Sequence, residues 1–192
     1  VYGTTGTRIG VRLFGGWDFV PEDAQRRDPA VVGYGKGVPM GADLTAAPEG
    51  GAPSFLVGAI KDPISGNLDR IQIIKGWLGA DGKTQEKIYN VAWSGDRKLN
   101  ADGNLPAVGN TVDVENATWT NTIGASELIT VWQDPDFDPG LKAFYYARVL
   151  EIPTPRWTAY DAAYFEDSNF APEVPMTLQE RAYTSPIWYT PK

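Results

Sequence analysis

Histidine and cysteine are both absent from the 192 residues of this chain. Disulfide bridges, zinc sites built from these residues, cysteine nucleophiles and histidine acid–base catalysis are therefore excluded within the sequence. No run approaches the roughly 20 apolar residues that a membrane-spanning helix needs. The sequence opens with Val1-Tyr2 and has no signal peptide pattern, so we expect the first residue to be a cut, with any targeting segment upstream of it. The compartment stays open, with a periplasmic or secreted location as one alternative.

Basic residues are in the minority. Lysine and arginine together number 17 against 24 aspartates and glutamates, which gives a net charge of −7. The longest basic run, Arg26-Arg27, lies between two aspartates. Nucleic acids and anionic membranes are bound through clustered basic side chains. We therefore expect neither a nucleic acid nor a membrane as partner.

Turn-forming residues and aromatic residues are both abundant. The chain has 21 glycines and 15 prolines, together with 7 Trp, 9 Tyr and 7 Phe. Apolar residues alternate in short segments between these turns, a pattern typical of antiparallel β structure. We predict an all-β fold, an antiparallel two-sheet β-sandwich of immunoglobulin-like or jelly-roll type, with long loops and a few short helices. Residues 1–192 are expected to form a single domain.

The individual elements follow from alternation and turn signals. The Asp81-Gly82 pair predicts a hairpin between two of the strands. A glycine-spaced loop is expected at 33–41 and a capping box at 177–180. The predicted strands are 8–14, 54–60, 68–78, 87–93, 111–114, 127–132, 143–152 and 187–189, and the predicted short helices are 21–27 and 158–167.

Three alternating aspartates, Asp134, Asp136 and Asp138, admit two interpretations. Clustered carboxylates in a loop can hold calcium, which takes six to eight oxygen ligands. The glycine and glutamate of a complete calcium loop are absent. A solvated turn between two strands is therefore the preferred interpretation.

Two further patterns resemble catalytic or phosphate-binding motifs only superficially. Asp113 and Glu115 share one predicted strand face, at a separation of about 7 Å that suits a glycosidase carboxylate pair. Alternating acids on an exposed strand are commonplace. The segment 33–37 lacks the spacing of a phosphate loop, and Pro39 blocks the helix that such a loop requires. We therefore assign no catalytic residue, no cofactor-binding residue and no metal ligand.

The tryptophans divide into two groups. Trp77, Trp93 and Trp132 are in phase with apolar strand residues and are expected in the core. Trp157 and Trp188 have proline or polar neighbours and are expected at the surface, where aromatic rings can stack on sugars. Together with Arg97 and Arg156, these two tryptophans are the candidate ligand or interface residues.

The arginines are assigned first to structural ion pairs and second to a substrate clamp. Each lies close in sequence to an acid, and an arginine on a strand that is apolar on both faces would need a paired acid. The four arginine–acid pairs are Arg97 with Asp96, Arg148 with Glu151, Arg156 with Asp161 and Arg181 with Glu180.

Several runs of residues resemble the bacterial domain-of-unknown-function family 3604 over nearly the whole chain. The runs are 4–9, 67–77, 91–97, 143–157, 179–181 and 184–188. The resemblance implies a β-sandwich that follows a metal-bearing barrel similar to the polymerase-and-histidinol-phosphatase (PHP) hydrolases and to carbaryl-hydrolase-like enzymes. The metal ligands of that barrel include histidines, so no ligand can be carried over to this chain.

These observations lead to three functional hypotheses. The first is a non-catalytic C-terminal accessory domain that packs on the upstream catalytic domain through loops 33–44 and 96–110, with homo-oligomerisation as a further role. The second is a carbohydrate-binding module that uses exposed aromatic residues. The third is a self-contained enzyme that uses carboxylates alone.

Overall fold

The computed structural model describes residues 1–166, 170–171 and 173–191 and arranges them in strands with a few short helices. In chain order, the strands are β1 (Tyr2–Thr4), β2 (Gly10–Gly16), β3 (Gly37–Pro39), β4 (Ser54–Ile60), β5 (Leu68–Leu78), β6 (Thr84–Trp93), β7 (Glu127–Gln133), β8 (Ala143–Glu151), β9 (Thr154–Pro155), β10 (Thr177–Leu178), β11 (Arg181–Thr184) and β12 (Ile187–Tyr189). The helices are a 3-10 helix (Pro21–Gln25), α1 (Pro29–Lys36) and α2 (Trp157–Phe165).

Two antiparallel sheets form the sandwich, as the sequence predicts. The larger sheet has the order β1-β11-β8-β5-β6, and β12 pairs with β8 beside β11. The smaller sheet has the order β3-β2-β4-β7. A separate two-stranded ribbon joins β9 and β10. The all-β sandwich is thereby confirmed.

The main core lies between the inner faces of the two sheets. Strand β8 alternates strictly between buried and half-buried residues, so that Tyr145, Ala147 and Val149 point inward. Phe55 and Val57 of β4 meet them from the smaller sheet, and all of these side chains belong to one buried cluster. The predicted core tryptophans Trp77, Trp93 and Trp132 are only half-buried.

A helix occupies the first part, 33–36, of the segment 33–41 for which the sequence predicted a loop. Helix α1 begins after Asp28, whose carboxylate accepts hydrogen bonds from the backbone N–H groups of Ala30 and Val31. Pro29 at the first helical position favours this start, because its fixed φ and missing N–H suit the first turn. The sequence analysis predicted no helix over 29–36, and its loop at 33–41 was therefore wrong in this part.

Two other local predictions were wrong. Residues 111–114 form no strand, and Asp113 makes only an isolated bridge to Thr118. The expected capping box at 177–180 is extended, because Thr177 pairs with Pro155 in the β9–β10 ribbon. The predicted end of the last helix, residue 167, lies outside the described residues. Among those described, no helix has the length and apolar character to cross a membrane.

Candidate functional site

Of the four candidate ligand or interface residues, the structure brings Arg156 and Trp157 into contact and places Arg97 and Trp188 in other surroundings. Arg97 lies in the interior, where its guanidinium Nη2 is 2.7 Å from Oδ1 of the fully buried Asp69. It also donates to backbone carbonyls of Ser94 and Pro106. Arg97 therefore has a structural role, and its partner is Asp69 instead of the expected Asp96.

Arg156 and Trp157 lie together at the start of α2. The guanidinium carbon of Arg156 is 5.2 Å from the centroid of the Trp157 ring. The tryptophan is 59% exposed, as predicted. Arg156 also donates to the carbonyl of Pro175. This pair is one exposed aromatic–cation contact, remote in sequence from the other candidates.

Trp188 belongs to an aromatic group on the outer face of the larger sheet. It is 47% exposed, and its ring centroid is 5.1 Å from that of Phe144 on the neighbouring strand. Tyr146 follows two residues along β8, with its ring nearly parallel to Phe144 and 6.4 Å away. We call these three residues the aromatic face. A cavity of about 460 Å³ lies against its Phe144–Trp188 end.

Glycine makes room for this arrangement. Gly76 of β5 lies opposite Phe144 in the strand register. A Cβ atom at Gly76 would lie 2.3 Å from Cζ of the Phe144 ring. The ring therefore rests on the backbone of β5, and a larger residue at Gly76 would push it away.

A polar ladder runs across four strands next to the aromatic face. The register places Tyr183, Arg148, Gln72 and Asn90 side by side on β11, β8, β5 and β6. Arg148 Nε donates to Gln72 Oε1 at 2.8 Å, and Gln72 Nε2 donates to Asn90 Oδ1 at 2.9 Å. The sequence predicted an acid as the partner of Arg148, and the structure supplies an amide instead.

The outer face of the smaller sheet carries a larger, apolar groove. It has a volume of about 770 Å³. Gly10 and Gly58 form part of its lining, and the side chains of Ile60 and Ile129 lie against these two glycines. Tyr34 of α1 stands on one side, with its ring edge-on to Phe14 at 5.0 Å. We call this surface the sheet groove.

Exposed apolar side chains surround the sheet groove. Tyr34 is 64% exposed, Ile60 58% and Tyr2 45%. The neighbouring half of the same sheet face is covered, because α1 and the 3-10 helix pack over the buried cluster of Phe14, Phe19 and Leu56. The residues that the structure describes therefore leave the groove side of this face uncovered. Charged residues at the groove are Arg12, Asp28 and Glu127.

The acidic turn that contains Asp134, Asp136 and Asp138 forms a buried ion pair with the core. Asp134 is fully buried, and its Oδ2 lies 2.6 Å from Nζ of Lys75, whose side chain is 4% exposed. Tyr145 donates its hydroxyl to the same oxygen at 2.7 Å. Burial, with the Asp134 charge beside it, raises the pKa of Tyr145. The expectation of a solvated turn was wrong at Asp134.

The next aspartate belongs to the same network at its solvent side. Asp136 accepts hydrogen bonds from Lys87 and from the Tyr89 hydroxyl, and the Lys87 contact holds the pKa of Asp136 below its usual range. Because Lys75 and Asp134 are enclosed, a substrate cannot reach them without opening the sandwich. The network therefore stabilises the fold. In residues 1–166, 170–171 and 173–191, no three acidic side chains are grouped as a metal site would require.

A second buried acid lies at the opposite end of β8. Glu151 is fully buried, and Ser65 donates to its Oε2 at 2.6 Å. Its Oε1 is among the buried atoms without a hydrogen-bond partner. Burial raises the pKa of this carboxyl group above the ordinary glutamate value. The charge of the nearby Glu180 contributes to this rise in pKa.

The weaker predicted patterns do not form sites. Asp113 and Glu115 are both exposed and lie in a turn, where Asn116 donates to Asp113 at 2.7 Å and lowers its pKa. Gly33 is within α1 and packs against Phe14, and a Cβ there would lie 2.4 Å from that ring. The segment is therefore a packed helix and not a phosphate loop.

The sequence did not predict that the residues of the aromatic face, or those of the sheet groove, come together in one surface. The alternation in β8 already indicated that Phe144, Tyr146 and Arg148 share a face. The register that brings Trp188 and Gln72 beside them depends on strand order, which the sequence did not reveal. For the sheet groove, the available signal was an isolated glycine, Gly58, inside an otherwise apolar strand.

Comparison with known proteins identifies a family for nearly the whole chain. The family model described as "Protein of unknown function (DUF3604)" matches residues 1–191. No curated protein and no solved structure matches the sequence. The match extends over both sheets and over every residue of the aromatic face and the sheet groove. The chain therefore belongs to the DUF3604 family of proteins of unknown function.

Proposed function

We propose that this chain is a non-catalytic accessory domain that packs through its sheet groove on a catalytic domain of the same polypeptide. The observation that carries the proposal is the half-covered outer face of the smaller sheet. A groove of about 770 Å³ is bordered there by exposed Tyr34 and Ile60. Exposed apolar surface of this kind, rimmed by charge, is typical of protein–protein contacts.

The first two residues of the sequence lie at the groove. Val1 and Tyr2 line the sheet groove. A domain that precedes them in the polypeptide would therefore emerge beside the surface that it is proposed to cover. The resemblance described above favours a PHP-like metal-dependent hydrolase barrel as that domain. In this proposal, all reactive groups belong to the barrel, and the sandwich stabilises it and borders its substrate entrance.

Substitution of Ile60→Glu in the full-length polypeptide tests the proposal. A buried charge at the domain contact should lower the melting temperature of the catalytic domain by roughly 5 °C. The matched control is Ile64→Glu, because Ile64 is 76% exposed and lies outside the groove. Differential scanning calorimetry measures both variants. The proposal is contradicted if deletion of residues 1–192 leaves the melting of the catalytic domain unchanged.

The same groove can pair two copies of the chain. If Ile60→Glu converts a dimer of the isolated chain into a monomer in light-scattering measurements, while the catalytic domain keeps its melting temperature, the sheet groove is a self-association surface. That result would replace the accessory role with homo-oligomerisation.

Carbohydrate binding is a second candidate function, favoured by a different surface. Trp188, Phe144 and Tyr146 form an aromatic face on the larger sheet, on the opposite side of the sandwich from the sheet groove. Aromatic rings present apolar surface together with hydrogen-bonding neighbours, as sugar recognition requires. Loss of binding to an oligosaccharide panel on substitution of Trp188→Ala is the expected result. Silence of the whole panel would exclude this function.

A further inference from the structure

The ligand chemistry of the aromatic face follows from its charge as well as from its rings. We propose that this face binds a carboxylate-bearing oligosaccharide, a uronate chain, along strand β8. The proposal rests on the second candidate function and specifies its ligand class. It is independent of the sheet groove, which lies on the other sheet.

The charge of this face is opposite to that of the whole chain. The strand register places Arg70, Arg148 and Arg181 on the outer face of the larger sheet, against one acid, Glu86. Arg70 pairs with Asp69 at 3.0 Å and shares this carboxylate with Arg97. Within the part of the chain that the structure describes, Arg148 and Arg181 form no ion pair. Two arginines are thus left available in a chain with a net charge of −7.

Arg148 is held in position for an external anion. Its Nε is fixed by Gln72, and Gln72 is fixed in turn by Asn90. Among the described residues, the two terminal Nη nitrogens of Arg148 donate to no partner. A planar guanidinium that is oriented through one nitrogen and open at the others suits bidentate binding of a carboxylate.

Arg181 completes the charged end of the face. It lies diagonally across the β8–β11 pair from Arg148, two residues before Tyr183, which pairs with Arg148, and its Nη1 is 3.5 Å from the hydroxyl of Tyr183. Glu86 is far from both, because it pairs with Gly76 at the Trp188 end. The positive charge of the two arginines is therefore unopposed by Glu86 at this end of the face.

The length of the face selects a chain over a single sugar. Trp188 lies opposite Phe144, and Arg148 is four residues further along β8. Four residues of a strand span about 13 Å. The ring of Tyr146 lies between these two ends. A ligand that stacks on Trp188 and reaches Arg148 must therefore contain several sugar units.

Oligogalacturonate and oligoguluronate are the probes, and fully methyl-esterified oligogalacturonate is the matched uncharged control. Isothermal titration calorimetry of residues 1–192 should show binding of at least one acidic probe. Esterification, Arg148→Gln and Arg181→Gln should each weaken binding roughly tenfold, because each removes a charge-assisted hydrogen bond. Trp188→Ala should weaken it by a similar factor. Added salt should also weaken it.

Trp157→Ala and Arg156→Gln are the matched controls for exposed tryptophan and arginine, and both should leave binding unchanged. Circular dichroism confirms that each variant is folded. Equal affinity for the esterified probe overturns the uronate assignment but leaves carbohydrate binding in place. Equal affinity for poly-glutamate assigns the face to acidic peptides and also overturns the uronate assignment. Absence of binding to every saccharide overturns both the assignment and the second candidate function.

Discussion

At the scale of single residues, the least expected feature is a lysine in the core. Lys75 alternates in phase with Ile71, Ile73 and Trp77, so its position already placed it on the inner face of β5. The partner that makes this burial tolerable, Asp134, lies 59 positions away in the acidic turn. Sequence proximity cannot reveal a pair at such a separation. The turn was therefore misinterpreted as solvated, although its residues were correctly singled out.

Removal of the Asp134 charge should strongly destabilise the protein. Asp134→Asn leaves the Lys75 ammonium buried without its counter-ion, which should cost about 3–5 kcal/mol of the free energy of unfolding. Urea denaturation measures the loss. The control is Asp81→Asn, since Asp81 pairs with Lys83 at 3.5 Å on the surface and should contribute at most about 1 kcal/mol. A loss at Asp134 as small as that of the control would contradict the structural role.

Glu151 should make stability fall as pH rises. Burial raises its pKa in the folded state above the ordinary value of 4.5, so the folded protein holds this proton more tightly than the unfolded chain does. The destabilising contribution of Glu151 to the free energy of unfolding therefore appears as pH rises from 4.5 through the pKa of the folded state. In more acidic solution this contribution is absent. Glu151→Gln should remove it.

The measurement compares melting temperatures of the wild type and Glu151→Gln between pH 4 and pH 7. The difference in favour of the variant should grow with pH. Asp62, whose pKa is lowered by the backbone N–H of Arg8, and Asp136, whose pKa is lowered by Lys87, act in the opposite direction. Their effect is common to both proteins and cancels in the difference. A difference that is constant with pH would rule out proton uptake at Glu151.

At the scale of elements, the long strands were predictable and the short irregular ones were not. Strands β4, β5 and β8 have enough alternating or continuous apolar residues to define their limits without tertiary information. Helix α1 was missed because two glycines within it resemble a loop. Its stability comes from the Asp28 cap and from packing on Phe14, and packing is not visible in a sequence.

The two glycines of α1 should respond oppositely to substitution by alanine. At Gly33, a Cβ would lie 2.4 Å from the ring of Phe14, and overpacking should cost about 2 kcal/mol. At Gly35, no atom lies within 4 Å, and the gain in helix propensity should stabilise the protein by about 0.5–1 kcal/mol. Thermal unfolding of both variants tests this difference. Equal effects would show that α1 does not pack on Phe14 as described.

At the scale of the whole molecule, the sandwich presents two unlike surfaces on opposite sides. The sheet groove is apolar. The outer face of the larger sheet combines the three rings of the aromatic face with Arg148 and Arg181, which have no acidic partner among the described residues. Neither surface uses the buried ionic network, which ties β5 of the larger sheet to the turn that follows β7 of the smaller one. One side is thus free to hold a neighbouring domain while the other remains open to solvent and to ligand.

The pairing of β1 with β11 brings opposite ends of the chain together in one sheet. Strands β11 and β12 also complete the edge of β8, and they comprise only residues 181–189. During synthesis on the ribosome, this edge of the central strand β8 therefore stays unpaired until residues 181–189 have left the exit tunnel. A nascent chain stalled before residue 181 would expose this edge to other chains, so premature termination there should yield aggregates and not a smaller folded domain.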